Sequence, residues 1–430
     1  MSTFDSILPT LKTCFRQHEN SIGAIRPLLL NRDLNGRVRI IVDEQWEADP
    51  DAITALARFA EIIHAELGNH AYPADQALLF EDDLASFIEG EATFPLEEID
   101  NVFVTDRMAV ESNWSRVSPT SEIPRIVFFS IKGGVGRSTA LAAAAWNLAE
   151  QGKRVMVLDL DLESPGLSSG LLPEGRRPAF GITDWLVEDL VDNGDQVFES
   201  MVATSALSRN GEIFIVPAHG NPPGEYVAKL GRVWMPKLTD AAARESWSER
   251  LARLIDKLEN RWEPDVVLID SRAGIDEVAS ACITDIGAST ILLFAIDGDQ
   301  TWSGYRILFQ HWRRTGAVRD IRERLQMVGA MIPELGTEEY FQGLLERAWD
   351  VCSEELYDEV PAGDMPMEDG SWNFVETDES APHYPWMVRW HRGFSALRSL
   401  HGRFTDGSHD EVRSIFGPLI DGINLSVGVA

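Results

Sequence analysis

The run Ile126-Val127-Phe128-Phe129-Ser130-Ile131-Lys132-Gly133-Gly134-Val135-Gly136-Arg137-Ser138-Thr139 constrains this chain more than any other stretch. A short, largely apolar strand enters a glycine-rich loop, and the loop opens directly into an alanine-rich helix over 140–150. That layout is a phosphate-binding loop, in which backbone N–H groups and a helix N-terminus surround anionic oxygens. Glycines at 133, 134 and 136 let the backbone wrap an anion closely, because no side chain blocks the approach. Ser138 stands where a hydroxyl ligates Mg²⁺ between terminal phosphates. Arg137 holds the position at which the common motif has its phosphate-binding lysine.

Downstream, apolar runs recur at 126–129, 155–158, 213–216, 266–269, 291–296 and 327–332, with helical stretches between them. Continuous rather than alternating hydrophobicity marks strands buried on both faces. Repeated strand–helix units predict a doubly wound, mostly parallel sheet flanked by helices, an α/β domain with ligands outside the carboxyl ends of its strands. Two of the runs end in acids. Asp159 closes the second, and Asp161 follows within Asp159-Leu-Asp-Leu-Glu-Ser-Pro-Gly166, on the same side if the chain stays extended. Asp270 closes the fourth and leads Asp270-Ser-Arg-Ala-Gly274. A carboxylate at the end of a buried strand needs a cation or donors to face. These acids can order Mg²⁺-bound or attacking water, and Gly274 can offer a backbone N–H to a γ-phosphate. Taken singly, each acid also reads as a strand-end cap.

Bulk properties set outer limits. The length suits two domains. The polar, proline-bearing stretch 115–124 reads as a linker between residues 1–114 and 125–430. The first segment is expected to be a small acidic α/β accessory domain, with helices near 4–18 and 51–67 and strands near 38–42, 77–80 and 102–104. Up to Thr120, 9 Lys and Arg stand against 21 Asp and Glu, a balance of −12. Asp106-Arg107 with Trp114 reads either as a docking point or as a turn with a surface arginine. Cys14, Cys282 and Cys352 are far apart, which implies a reducing cytoplasmic setting and no cysteine-built metal site. The N-terminus lacks a signal peptide's pattern, and no run approaches the ~18 uninterrupted apolar residues of a membrane span. The net charge of −31 disfavours nucleic-acid and anionic-lipid partners and favours a basic one.

With these residues in view, Lys132-Gly-Gly-Val-Gly-Arg-Ser-Thr139 resembles the deviant phosphate loop of ParA/MinD-like P-loop ATPases, which carry KGGxGK[ST]. The arginine form, with the two acidic motifs downstream, resembles the KGGVGR-motif variant subgroup. The similarity spans roughly 124–333 and leaves the first segment unexplained. It implies ATP and Mg²⁺ as cofactors, bound by residues 133–139 (Gly133, Gly134, Val135, Gly136, Arg137, Ser138, Thr139) and Gly274. By the same resemblance Ser138 and, through water, Asp270 hold the metal, and Asp161, with Asp159 beside it, orients the hydrolytic water. Lys132 reaches the partner's phosphates across a nucleotide-sandwich homodimer. Adenine contacts point to Pro333 and its neighbours and to the 381–385 loop. Such variants are similar to components of bacterial conflict systems, which implies an anti-phage role with an unidentified protein partner. Arginine keeps the charge but replaces a compact ammonium with a wide planar fork. Two outcomes stay open: a slow ATPase, or a nucleotide-bound scaffold that does not turn over. A small-molecule kinase or ligase is a third, without an acceptor signature.

Two later segments have competing readings. Residues 386–404 carry four Arg, two His and no acid among interleaved aromatics. They read as a nucleic-acid or protein interface, or as an amphipathic helix packing Met387, Trp390, Phe394 and Leu397 on a core. Residues 410–427 are apolar with one arginine, Arg413, which does not fit a membrane-surface helix.

Overall fold

A computed structural model describes residues 2–90, 93–109, 114–207, 210–238, 244–359, 371–394, 401–402, 404 and 409–428. The chain divides into two units, Met1–Arg116 with Arg314–Ala317, and Val117–Arg313 with Val318–Ala430.

The first unit is built on a mixed five-stranded sheet. Its strands are β1 (Leu28–Arg32), β2 (Val38–Asp43), β3 (Leu78–Glu81), β4 (Thr93–Pro95) and β5 (Val102–Asp106), in the order β3-β2-β1-β5-β4. Helices Ile7–Gln17 and Pro50–Leu67 bury Leu11, Phe15, Leu56 and Phe59 in its core. Asp49 caps the second helix by accepting the N–H groups of Asp51 and Ala52, and Pro50 starts it where a missing N–H costs nothing. The expected helices and three strands form here; β1 and β4 are additions. Asp106 ends β5 and accepts from Nε of buried Arg32 at 2.9 Å, its parallel partner in register. Arg107 donates to Asn31 Oδ1.

The second unit carries β6 (Arg125–Ser130), β7 (Arg154–Asp159), β8 (Ala203–Thr204), β9 (Glu212–Val216), β10 (Lys237–Leu238), β11 (Arg244–Glu245), β12 (Val266–Asp270), β13 (Thr290–Ala295), β14 (Leu325–Ile332) and β15 (Trp386–Arg389). Eight of them form one sheet in the order β15-β14-β13-β6-β12-β7-β9-β8, parallel except for the antiparallel edge β8. All six residues of β6 are buried, so the strand feeding the glycine loop is central. The helix Arg137–Glu150 lies in the core along Ala140, Leu141, Ala142, Ala143, Ala144 and Ala145, where small side chains allow close approach. Chain order reverses around β6, with β7 on one side and β13 on the other, which puts a ligand crevice outside its carboxyl end.

The break between units falls after Arg116, and Ser118 and Ser121 already donate backbone N–H groups to Thr284 and Gly287 of the second unit. The expected helix over 386–404 is not what forms. Trp386–Arg389 is a strand that extends the sheet beside β14, and Arg392–Phe394 is a single 3₁₀ turn. Pro385 precedes it, and an edge strand tolerates a residue without an N–H. Leu397 lies outside the described residues. The helix His409–Ser426 buries Val412, Ile415, Phe416, Leu419, Ile420 and Ile423 in the same core as Trp146 and Val388. Its apolar face is therefore spent inside the unit. Among the described residues no helix is long and apolar enough to cross a membrane.

Candidate functional site

The loop leaving β6 uses its glycines as the backbone requires. Gly134 and Gly136 have φ of +76° and +87°, a region that side chains with a Cβ rarely adopt. A Cβ built on Gly133, Gly134 or Gly136 meets nothing within 4 Å, so the loop's outer surface faces open space of the kind an anion fills. Val135 turns the other way and is buried in the core, anchoring the loop. Gly136 is the N-cap of the helix Arg137–Glu150 and supplies no side-chain cap, and no acid stands in the first turn. The helix thus presents uncapped N–H groups and the positive end of its dipole to the crevice. Lys132 is exposed and makes no ion pair among the described residues.

Beneath the loop, one buried arginine serves several acids. Arg137 Nη1 donates to Ser130 Oγ at 2.8 Å, and that hydroxyl donates to the Lys132 carbonyl at 2.8 Å. Arg137 Nη2 lies 3.5 Å from Asp161 Oδ2, and its Nε lies 3.7 Å from Asp270 Oδ1. Ser138 Oγ donates to Asp270 Oδ2 at 2.5 Å. Asp159 and Asp270 are register partners at the ends of β7 and β12. Burial pushes the Asp270 carboxyl up to about 6, with Arg137 and Ser138 pulling the other way. The Asp159 carboxyl is also raised well above its usual range, by burial and by the charges of Asp270 and Asp161, with the backbone N–H groups of Gly166 and Leu167 opposing.

These groups fit a divalent cation. Both Asp159 oxygens and Asp270 Oδ1 are buried without a close hydrogen bond, beside a serine hydroxyl. Among the described residues no side-chain cluster forms a complete metal cage.

Gly274 sits at φ +102°, and its N–H is donated to the Ser130 carbonyl at 3.0 Å rather than left open toward a phosphate. A cavity of about 270 Å³ extends from residues 134–139 to Met331, Arg389, Trp390, His391, Phe394 and Phe416. Trp390 is an exposed ring on this wall. Met331 stands at φ +55° where the β14–β15 register shifts, a strained residue at a site. Pro333 is a near neighbour of this wall without lining it. The 381–385 loop precedes β15 and so lies at the opposite end of the parallel sheet, and its His383 is buried against Tyr357. Sequence reading singled out 386–404 for its aromatics and arginines, yet gave the stretch no place at the nucleotide crevice.

A glycine loop at the carboxyl end of a central parallel strand, capped by a helix N-terminus and faced by strand-end acids, defines a P-loop nucleotide-binding protein. The chain belongs to the CobQ/CobB/MinD/ParA nucleotide binding domain family, whose model matches residues 126–347. No curated protein matches the sequence. Similar solved structures include the septum site-determining protein MinD of Pyrococcus horikoshii OT3 complexed with Mg-ADP, at 19% identity, 71% of this chain, 98% of that one and a TM-score of 0.43. The MinC:MinD cell division complex of Aquifex aeolicus matches at 16% identity, 71% and 96% coverage and 0.44. A ParA family ATPase of Chlorobium tepidum TLS matches at 12% identity, 69% and 98% coverage and 0.43.

Proposed function

We propose that this chain is a slow ATP hydrolase that acts as a switch, dimerising around Mg-ATP to control a protein partner. The observation that supports it best is the convergence of Ser138, Arg137, Asp161 and Asp270 under an open glycine loop. Phosphates would accept from the loop and first-turn N–H groups, with Arg137 beneath and Lys132 free to reach a second copy. Ser138 Oγ and Asp270 would hold Mg²⁺, directly and through water. The ion would supply charge neutralisation to the bound phosphates. Asp161 would orient the attacking water and hold its proton at a carboxylate oxygen. The base would lie along the Trp390 wall.

Positioning and electrostatics do nearly all the work of phosphoryl transfer, so the width of the arginine fork slows turnover rather than binding. We extend the proposal to the cytoplasm and to a bacterial anti-phage assembly on the resemblance of the motifs alone. The domain roles belong to it too: residues 125–430 as the ATPase and 1–114 as an accessory element joined by 115–124.

One observation favours a second reading, a non-hydrolysing scaffold: Arg137 already engages Asp161, the group assigned to the water. Phosphate release separates the two. Wild type should release phosphate slowly with Mg-ATP, and Asp161→Ala should release none while still binding nucleotide. Equally negligible release from both, with nucleotide bound, sinks the hydrolytic reading.

A further inference from the structure

Sequence reading assigned no role to Arg272, although it lies inside the second acidic motif. β7 and β12 run parallel with Asp159 opposite Asp270, and the Leu160 N–H donated to the Asp270 carbonyl carries the pairing past the strand ends. The two loops that follow are therefore neighbours. Two residues beyond Asp161 comes Glu163, and two beyond Asp270 comes Arg272. Arg272 Nη2 lies 2.6 Å from Glu163 Oε2, and its Nη1 lies 2.9 Å from Asp276 Oδ2. Asp276 also accepts the Ala279 N–H and so is fixed at a helix start. Arg272 is thus held on its own loop and reaches across to the other.

Each end of this bridge joins the site. On one side, Ser164 gives Asp161 Oδ1 its hydroxyl at 2.9 Å and its N–H at 3.3 Å, so residues 161–164 form a tight turn with Glu163 on its outer corner. On the other, the Ser271 N–H goes to the Phe128 carbonyl and the Gly274 N–H to that of Ser130, whose hydroxyl receives Arg137. A continuous set of contacts runs from Glu163 through the Arg272 loop to Arg137.

We infer that Arg272 is a positioning residue for the hydrolysis proposed above: through Glu163 it sets the loop that presents Asp161. Both side chains are part-exposed, at 31% and 42%. An ion pair that open contributes little to global stability. Its effect lies in the geometry of the loop, where small displacements of a reacting group cost large factors in rate.

The test uses the full chain with Arg272→Gln, Glu163→Gln and the double variant. In the nucleotide-free protein, amide exchange over 161–166 should quicken several-fold in each single variant and no further in the double. With Mg-ATP, kcat should fall on the order of tenfold while KM stays within about twofold. The melting temperature should hold to about 1 °C, as for an exposed pair. Unchanged exchange in the single variants, or a double variant equal to the product of the two, overturns the assignment. A wild type without turnover tells against the ATPase reading only, because exchange still decides the role of Arg272.

Discussion

Asp270→Asn should make the nucleotide-free protein more stable at neutral pH while abolishing its use of Mg-ATP. The carboxyl is raised from 3.8 to about 6 in the folded chain. A raised folded value means that the native state binds the proton more readily than the unfolded chain does. Asp270 therefore adds stability below pH 3.8, loses it as pH rises through about 6, and is a net burden at pH 7.5. Roughly two units at about 1.4 kcal/mol each make that burden about 3 kcal/mol. An asparagine carbonyl can still accept from Ser138 Oγ, so the ~1 kcal/mol of that bond is retained. For a unit of this size, a gain of 2–3 kcal/mol corresponds to a rise of about 4 °C in melting temperature. Thermal denaturation of both proteins from pH 7.5 down to pH 4 measures it. The advantage of the variant should shrink as pH falls and the native carboxyl takes its proton. Adding Mg-ATP should stabilise wild type and leave the variant unmoved. A variant melting at or below wild type at pH 7.5 would refute the claim that burial, rather than a strong partner, governs Asp270.

Lys132→Ala should weaken ATP-dependent self-association while leaving nucleotide binding by the monomer intact. Light scattering that finds one mass for wild type with and without ATP removes the dimer. Arg137→Lys should raise turnover several-fold, with affinity changed by about twofold at most, since charge is kept and the fork is replaced by a point donor; phosphate release no faster than wild type refutes the geometric account. His383 is buried, with Nε2 donating to the Glu376 carbonyl at 2.9 Å and Nδ1 accepting from Tyr357 Oη at 2.5 Å. Burial lowers its pKa, against the pull of Asp378 and Glu376. Its neutral form therefore contributes stability above the unfolded value of about 6.5 that is lost as pH falls below it. Urea midpoints at pH 7.5 and 5.5 should show this loss in wild type and a smaller one in His383→Gln.

Which parts of the site were legible follows from how local their causes are. The glycine loop is written in consecutive residues, because each step from β6 into the helix needs its own residue type. The acids are legible for a similar reason: a carboxylate ending an apolar run marks the carboxyl edge of a buried strand. The Trp390 wall depends instead on β15 joining the sheet after a long connection from β14. Nothing near Trp386 announces that pairing, and the spacing of Met387, Trp390 and Phe394 matches a helix equally well. Ser130 was hidden for a different reason. It reads as the last residue of a strand, and only the fold brings Arg137, the Lys132 carbonyl and the Gly274 N–H together around it.

That arrangement also changes what the odd arginine means. In sequence, Arg137 is a substitution in a phosphate loop, to be judged by what it does to a phosphate. In the fold it is a buried cation between Asp161 and Asp270, with one Asp270 oxygen still lacking a close donor. Burial is the main cause of the raised Asp159 and Asp270 carboxyls, and the charge of Asp161 beside them adds to it. In the proposed Mg-ATP complex, Asp270 would face the cation and Arg137 would face phosphate oxygens as well as Asp161. On the hydrolysis proposed above, such binding should therefore loosen the contact between Arg137 and Asp161, leaving that carboxylate open to a water.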